Sequence, residues 1–246
     1  MIAKLAAAIG LVLVVVLVSA AWISVPRERP IASFGTSLQG RSLSQRHNAL
    51  LALRGIDQKV LPPNATFSFN SAVGSYSRDQ GYRKAPVSYN GQLIDDWGGG
   101  VCQTSTTLYN AALLAGLTIL ERNHHRFCPS YVTPGRDAAV AYPSLDLRFQ
   151  NPYPFPVRIH AQIERDMLQV ELLASRPLPE PVSLNTRLSQ RTRPATFVTG
   201  RAAGTHFLRN SGKAGYDTCV YRTVGKHEEL ISVDSYPVMN RLVEYR

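Results

Sequence analysis

The chain has 246 residues, 44% of them apolar, which excludes a disordered polypeptide and is enough for a substantial buried core. Lysine and arginine number 27 against 17 acidic residues, for a net charge of +10 and a pI near 9.8. The basic residues are scattered and no nucleic-acid motif is visible, so nucleic acid is excluded as a partner, while anionic envelope polymers and phospholipid headgroups fit the charge.

Residues 5–25 follow Lys4 without a single charge and end at Pro26 and the charged Arg27, Glu28 and Arg29. About 20 apolar residues at roughly 1.5 Å each span a bilayer core of about 30 Å, so residues 1–25 are expected to be a transmembrane signal anchor. That makes the protein single-pass, with an extracytoplasmic domain. The small residues Ser19, Ala20 and Ala21 allow the alternative of a cleaved signal peptide and secretion.

A linker and entry segment over residues 26–44 comes next. A helix is expected over residues 44–53, with Ser44 as its N-cap and Gly55 just past its end. Leu61-Pro62-Pro63-Asn64 punctuates the chain, and Phe67 and Phe69 flank Ser68 in a short strand. Residues 82–89 and 92–95 read as strands joined by an Asn90-Gly91 hairpin turn. Residues 108–117 are apolar on most sides, so a covered helix should follow Cys102 and end at Gly116. Short strands are expected over 130–132, 138–142 and 145–149. The alternation Val157, Ile159, Ala161, Ile163 and then Leu168, Val170, Leu172 predicts a long antiparallel hairpin with one buried face.

A proline-rich stretch at residues 176–181 marks a boundary. Beyond it lie an arginine-rich segment and two strands over 216–224 and 229–235. The expected fold class is α+β: a central buried helix packed on antiparallel strands, with an N-terminal transmembrane or signal-anchor helix and a small C-terminal β hairpin appendage. The main domain covers 45–176 and the arginine-rich β region covers 177–246.

The chemistry concentrates at Gly98-Gly99-Gly100-Val101-Cys102-Gln103-Thr104-Ser105. A cysteine at the mouth of a helix meets unpaired N–H groups and the positive end of the dipole, both of which favour a thiolate. A thiol nucleophile needs a base and an acid to orient it. His124 and His125 follow downstream, and Asp137 and Asp146 open the segments after them. The candidate catalytic set is therefore Cys102, His125, either Asp137 or Asp146, and Gln103, whose amide would join the Cys102 N–H in binding an oxyanion. Gly98, Gly99 and Gly100, with the first-turn hydroxyls of Thr104 and Ser105, are the candidate ligand-binding group. Those hydroxyls serve equally well as partners for backbone groups. Three cysteines are an odd number for an exported chain, and pairing Cys128 with Cys219 leaves Cys102 free. Zinc binding by Cys102, Cys128, His124 and His125 lacks ligand spacing, and the absence of the Gly-Lys-Ser/Thr ending argues against a P-loop. No metal or other cofactor is called for.

Several segments together resemble the VanW family. They are Thr66-Phe-Ser-Phe-Asn, Val73-Gly74, Gly81-Tyr82, Ala85-Pro86, the glycine-rich run into Leu108-Tyr109-Asn110, Glu121-Arg122, Tyr131-Val132, Gly135-Arg136-Asp137-Ala138 and Asp146-Leu147-Arg148-Phe149-Gln150-Asn151, and the resemblance also takes in Ile31 to Gly40 and the hairpin from Gly215-Tyr216 to Tyr236. The resemblance implies a bacterial envelope protein, exported or membrane-anchored, and puts His125 rather than His124 at the family's histidine position. It does not supply a mechanism. Two functions follow as expectations. One is a thiol enzyme acting by acyl transfer on amide bonds of peptidoglycan peptides or an envelope protein. The other is a non-catalytic module that binds anionic or peptidyl envelope components such as peptidoglycan precursors.

Overall fold

The computed structural model describes residues 27–89, 92–200 and 205–245. The anchor expected over residues 1–25 and the Asn90-Gly91 turn lie outside the described residues. Among the described residues no helix is long and apolar enough to cross a membrane.

In chain order the elements are β1 (Arg29–Ser37), α1 (Leu43–Ile56), β2 (Val60–Leu61), β3 (Thr66–Ser68), α2 (Phe69–Val73), β4 (Lys84–Tyr89), β5 (Gln92–Trp97), α3 (Val101–Leu114), β6 (Thr118–Glu121), β7 (Arg148–Gln150), β8 (Val157–Glu164) and β9 (Met167–Ala174). The C-terminal part adds β10 (Val182–Thr192), β11 (Thr196–Thr199), β12 (His206–Asn210), β13 (Gly215–Val224), β14 (His227–Tyr236) and β15 (Arg241–Tyr245). The described strands pair as β1-β9-β8-β2, β3-β7-β6, β4-β5, β10-β13-β14 and β11-β15-β12. All pairs are antiparallel except β11 with β15.

This corrects the expected fold class. Strands take 46% of the described residues and helices 17%, so the molecule is mainly antiparallel β with few helices, not an α+β domain. The C-terminal region is likewise no simple hairpin appendage, since six strands form two three-stranded sheets there. The reason for the miscount is physical. β11 and β12 are exposed along almost their whole length, with Phe197, Val198, Phe207 and Leu208 open to solvent. Alternation of apolar and polar residues announces a strand only when one face is buried.

Where a face is buried, pattern and strand coincide. Val157, Ile159 and Ala161 of β8 and Leu168, Val170 and Leu172 of β9 point into one core. Arg165, at φ 54°, turns the chain between them. α3 packs on β1 and β9, and α1 packs on β8 and α3. α1 begins two residues earlier than expected, because Ser42 and Gln45 form a reciprocal capping box: the Ser42 hydroxyl accepts from the Gln45 N–H at 3.2 Å and Gln45 Oε1 accepts from the Ser42 N–H at 3.1 Å. It also runs through Gly55, where a side chain would press on Ala72 and Val73 of α2. The strands expected over 130–132 and 138–142 are turns and isolated bridges, of which Asn123 with Ala139 is one.

Within the glycine run 98–100, Gly100 is the tightest point. It caps α3 at φ 111°, and a Cβ there would sit 2.3 Å from the Gln45 carbonyl oxygen. Gly100→Ala therefore combines a strained backbone with a clash against rigid helix, and should lower stability by more than about 2 kcal/mol in thermal or urea unfolding.

Candidate active site

The glycine run exists to let three backbones meet. A Cβ on Gly98 would strike Tyr76, and one on Gly99 would meet Ala85 and the carbonyl oxygen of Pro86 in β4, each at under 3 Å. Buried Asn48 of α1 locks the run in place by donating to the carbonyls of Gly99 at 2.9 Å and Arg83 at 2.8 Å. The result is a fixed start for α3. The Val101 N–H donates to the Gly98 carbonyl at 3.0 Å and the Gln103 N–H to the Gly100 carbonyl at 3.1 Å; among the described residues no carbonyl accepts from the Cys102 N–H. Cys102 thus carries both a thiol and an unpaired helix-terminal donor.

The next turns of the same helix position the acid. Thr106 Oγ1 accepts from the Ala138 N–H at 3.0 Å, Ser105 Oγ donates to the Ala138 carbonyl at 2.7 Å, and Asn110 Nδ2 donates to the Arg136 carbonyl at 2.7 Å. These bonds grip the residues on either side of Asp137. Its carboxylate is fully buried. Oδ2 accepts from the His125 ring Nδ1 at 2.6 Å and from the His125 backbone N–H at 2.7 Å. Oδ1 accepts from the Tyr236 hydroxyl at 2.5 Å and from Arg122 at 3.1 Å. Arg122 in turn donates to Asp234 at 2.6 Å and to the carbonyl of Asp137 at 2.6 Å. With Nδ1 held by Asp137, Nε2 is the ring nitrogen left for the Cys102 thiol, whose titration His125 governs and which also donates to the Val140 carbonyl at 3.5 Å.

The electrostatics follow from this chain of contacts. Burial alone would raise the Asp137 pKa, but the His125 hydrogen bonds and the His125 and Arg122 charges outweigh it and hold the carboxyl at about 2. Burial would lower the His125 pKa, yet the bonds to Asp137 and Cys102 push it up to about 10. Burial would raise the Cys102 pKa; the hydrogen bond and charge of His125 reverse that and bring it below its ordinary value. The mutual shifts thus favour proton transfer from Cys102 to His125, the direction of a thiolate–imidazolium pair.

Cys102 and His125 open onto a cavity of about 210 Å³ lined also by Arg41, Phe127, Tyr131 and Lys213 and by Gly98, Gly99 and Gly100. A larger cavity of about 720 Å³ is lined by Arg122 and by residues of β6 and β14, but it contains no thiol. The reactive group, not the volume, identifies the site.

The other expected residues lie as follows. Asp146 does not orient His125: its carboxylate accepts from the Ser68 hydroxyl at 2.6 Å and the Asn70 N–H at 2.8 Å, bracing the start of α2. Gln103 lines the cavity, but its amide nitrogen donates to Thr36 Oγ1 at 3.1 Å and the Ser37 carbonyl at 2.8 Å. Thr104 and Ser105 are fully buried, and their hydroxyls donate to the carbonyls of Ala49 and Ala138. His124 is exposed and bonds the His125 carbonyl. All three cysteines are free, which corrects the suggested Cys128–Cys219 bridge. Burial pushes the Cys128 thiol up to about 12. Among the described residues no three His, Cys, Asp or Glu side chains gather as metal ligands.

Tyr236, Asp234, Arg41 and Lys213 were missed from the sequence. Arg122 at least adjoins the histidine pair. Tyr236 ends β14, 99 residues beyond Asp137, in a hairpin that the family resemblance takes in but whose pattern gives no sign of a contact with the acid.

Residues 44–173 match the family model described as VanW like protein. The chain is 43% identical over 132 residues to "Uncharacterized protein YoaR" of Bacillus subtilis (strain 168), a match covering 54% of this chain and 44% of that protein. It is 31% identical over 110 residues to "Vancomycin B-type resistance protein VanW" of Enterococcus faecalis (strain ATCC 700802 / V583), covering 42% of this chain and 40% of that one. The matches thus span less than half the length of these relatives. A solved structure titled "Crystal structure of HP0197-G5" aligns over 26% of this chain and 97% of its own at 20% identity, with a TM-score of 0.16.

The ion pair generates two expectations. Cys102 should be alkylated readily at pH 6 to 7, and His125→Ala should move the midpoint of its pH profile above the free-thiol value of about 8.5, because burial then acts unopposed. Stability should also carry a signature of the pair. The His125 contribution is complete below its unfolded pKa of about 6.5 and is lost as pH rises through about 10. The lowered Cys102 pKa contributes in the opposite sense up to about 8.5. Folded and unfolded pairs hold one proton each between roughly 6.5 and 8.5, so their share of urea stability should be flat there and fall above it. In His125→Ala the plateau should instead extend below pH 6.5, because no unfolded histidine then takes up a proton there, and the wild-type loss of stability on acidification through about 6.5 should vanish.

Proposed function

This chain belongs to the VanW-like family, and from that premise we propose that it is an envelope thiol enzyme that transfers or hydrolyses acyl groups at amide bonds, with peptidoglycan peptides as substrate. The observation that carries the reading is the continuous contact from Cys102 through His125 to the buried, ionised Asp137. A buried structural cysteine needs no such partners.

In this reading the Cys102 thiolate attacks the amide carbonyl carbon, forming a carbon–sulfur bond and an oxyanion. The Cys102 N–H is the donor assigned to that oxyanion, since both hydrogens of the Gln103 amide are already engaged. The carbon–nitrogen bond then breaks, and the His125 imidazolium delivers its Nε2 proton to the departing amine. Water or a second amine attacks the thioester, His125 takes the proton released, and the thiolate leaves. Asp137 holds the ring tautomer and balances the imidazolium charge throughout. The Arg122–Asp234 and Tyr236 contacts keep the carboxylate ionised and pointed at the ring.

An envelope location is part of the same proposal. It is supported by the uncharged run at residues 5–25 and by the basic character of the chain. Vancomycin resistance is a property in the printed name of the Enterococcus relative.

The test is direct. Incubating the whole chain with purified muropeptides should give a thioester adduct on the Cys102 peptide, detected by mass spectrometry after an acid quench. Cys102→Ala should lose both adduct and turnover. Asp137→Asn, checked for folding by circular dichroism, should lower turnover by about 10²- to 10⁴-fold. A folded Cys102→Ala variant with full turnover overturns the proposal.

A further inference from the structure

The cavity at Cys102 has a charge arrangement that the acyl-transfer reading does not itself require. Its lining includes two cations, Arg41 and Lys213, and no aspartate or glutamate. They come from distant parts of the chain. Arg41 lies in the turn after β1, with its N–H on the Leu38 carbonyl at 3.0 Å and its carbonyl accepting from Arg46 Nε at 3.3 Å. Its guanidinium sits over the Tyr131 ring, 5.1 Å from the centroid, and its buried Nε has no partner among the described residues. Lys213 precedes β13 and is pinned by two backbone bonds to Met239, at 2.8 and 3.0 Å.

Among the described residues neither cation makes an ion pair, although Arg46 and Arg122 each have a carboxylate partner. The two are close enough for Arg41 to depress the Lys213 pKa, a shift that burial leads. Two like charges held half-buried at one cavity without a counter-ion is an unfavourable arrangement that an incoming anion relieves. The neighbouring thiolate does not fill that need, because His125 already balances it.

We infer that Arg41 and Lys213 form a carboxylate subsite beside Cys102, and that the acyl donor is a peptide bearing a free carboxylate near its scissile carbonyl. This deepens the proposed function and rests on it. A planar guanidinium matches a carboxylate through paired hydrogen bonds, and a lysine adds a point charge. The C-terminal β region would then contribute to substrate choice as well as to holding Asp137.

The experiment compares alkylation of Cys102 by iodoacetate, which carries a carboxylate, with alkylation by neutral iodoacetamide, read on the Cys102 peptide of the full chain by mass spectrometry. The iodoacetate-to-iodoacetamide rate ratio should fall about tenfold in Arg41→Gln/Lys213→Gln while the iodoacetamide rate holds. Arg41→Lys, which keeps the charge, should retain most of the ratio and guards against a folding artefact. An unchanged ratio in the folded double variant overturns the subsite. If wild-type Cys102 reacts with neither reagent, the thiol reading falls, and the subsite is judged by saturation-transfer NMR alone. There N-acetylalanine should bind the wild type, its amide should not, and the double variant should bind neither. Equal binding of acid and amide, or equal displacement of the acid by inorganic phosphate and by acetate, overturns the carboxylate assignment.

Discussion

The buried carboxylate of Asp137 is the constraint on which the rest of the site depends. A charge with no solvent access must be surrounded by donors, and Asp137 receives four: the ring and backbone of His125, Arg122 and the Tyr236 hydroxyl. Removing any one leaves part of an ion unsatisfied, so each donor is held as firmly as the acid. Orientation of the imidazole is thus a by-product of satisfying a buried charge. The same contacts raise the histidine pKa, and the histidine in turn lowers that of the thiol.

α3 organises this arrangement from two ends. Its first turn presents Cys102 beyond a glycine run too tight for side chains. Its second and third turns use Ser105, Thr106 and Asn110 to grip the backbone around Asp137. A row of buried hydroxyls and amides is expensive inside a core unless each group is paired, and these are paired with loops that would otherwise lack regular backbone partners. The irregular stretch over residues 123–147 is held by side chains of the helix rather than by a ladder. The role of the polar residues after Cys102 is therefore to place other groups. Thr104 and Ser105 are structural in this sense, and so is the amide of Gln103, which ties α3 to β1.

The C-terminal region is bound into the site. Tyr236 and Asp234 of β14 close the donor shell around Asp137 and Arg122, and Lys213 reaches the cavity from the segment before β13. The family match ends at residue 173, so these contributions lie beyond it. Two partly independent β regions thus share one charge network. Its electrostatics make their docking and the ionisation of the thiol a single problem.

Much of the local machinery was legible from residue order. A glycine run before an apolar helix places a cysteine at a dipole end whatever surrounds it, and strict alternation in β8 and β9 marks a strand pair because one face is buried. The sequence by itself thus determined the position of the thiol, the nearby histidine and the family resemblance, all of which depend on short-range geometry. Only the tertiary structure decided that Asp137 rather than Asp146 meets His125, that Gln103 turns away toward β1, and that the chain is mainly β. It also brought Tyr236 and Lys213 to the site. The physical reason is the same in each case. Which carboxylate is desolvated, which donor answers it and which exposed segment joins a sheet depend on contacts between residues far apart in the chain, and no periodicity records them.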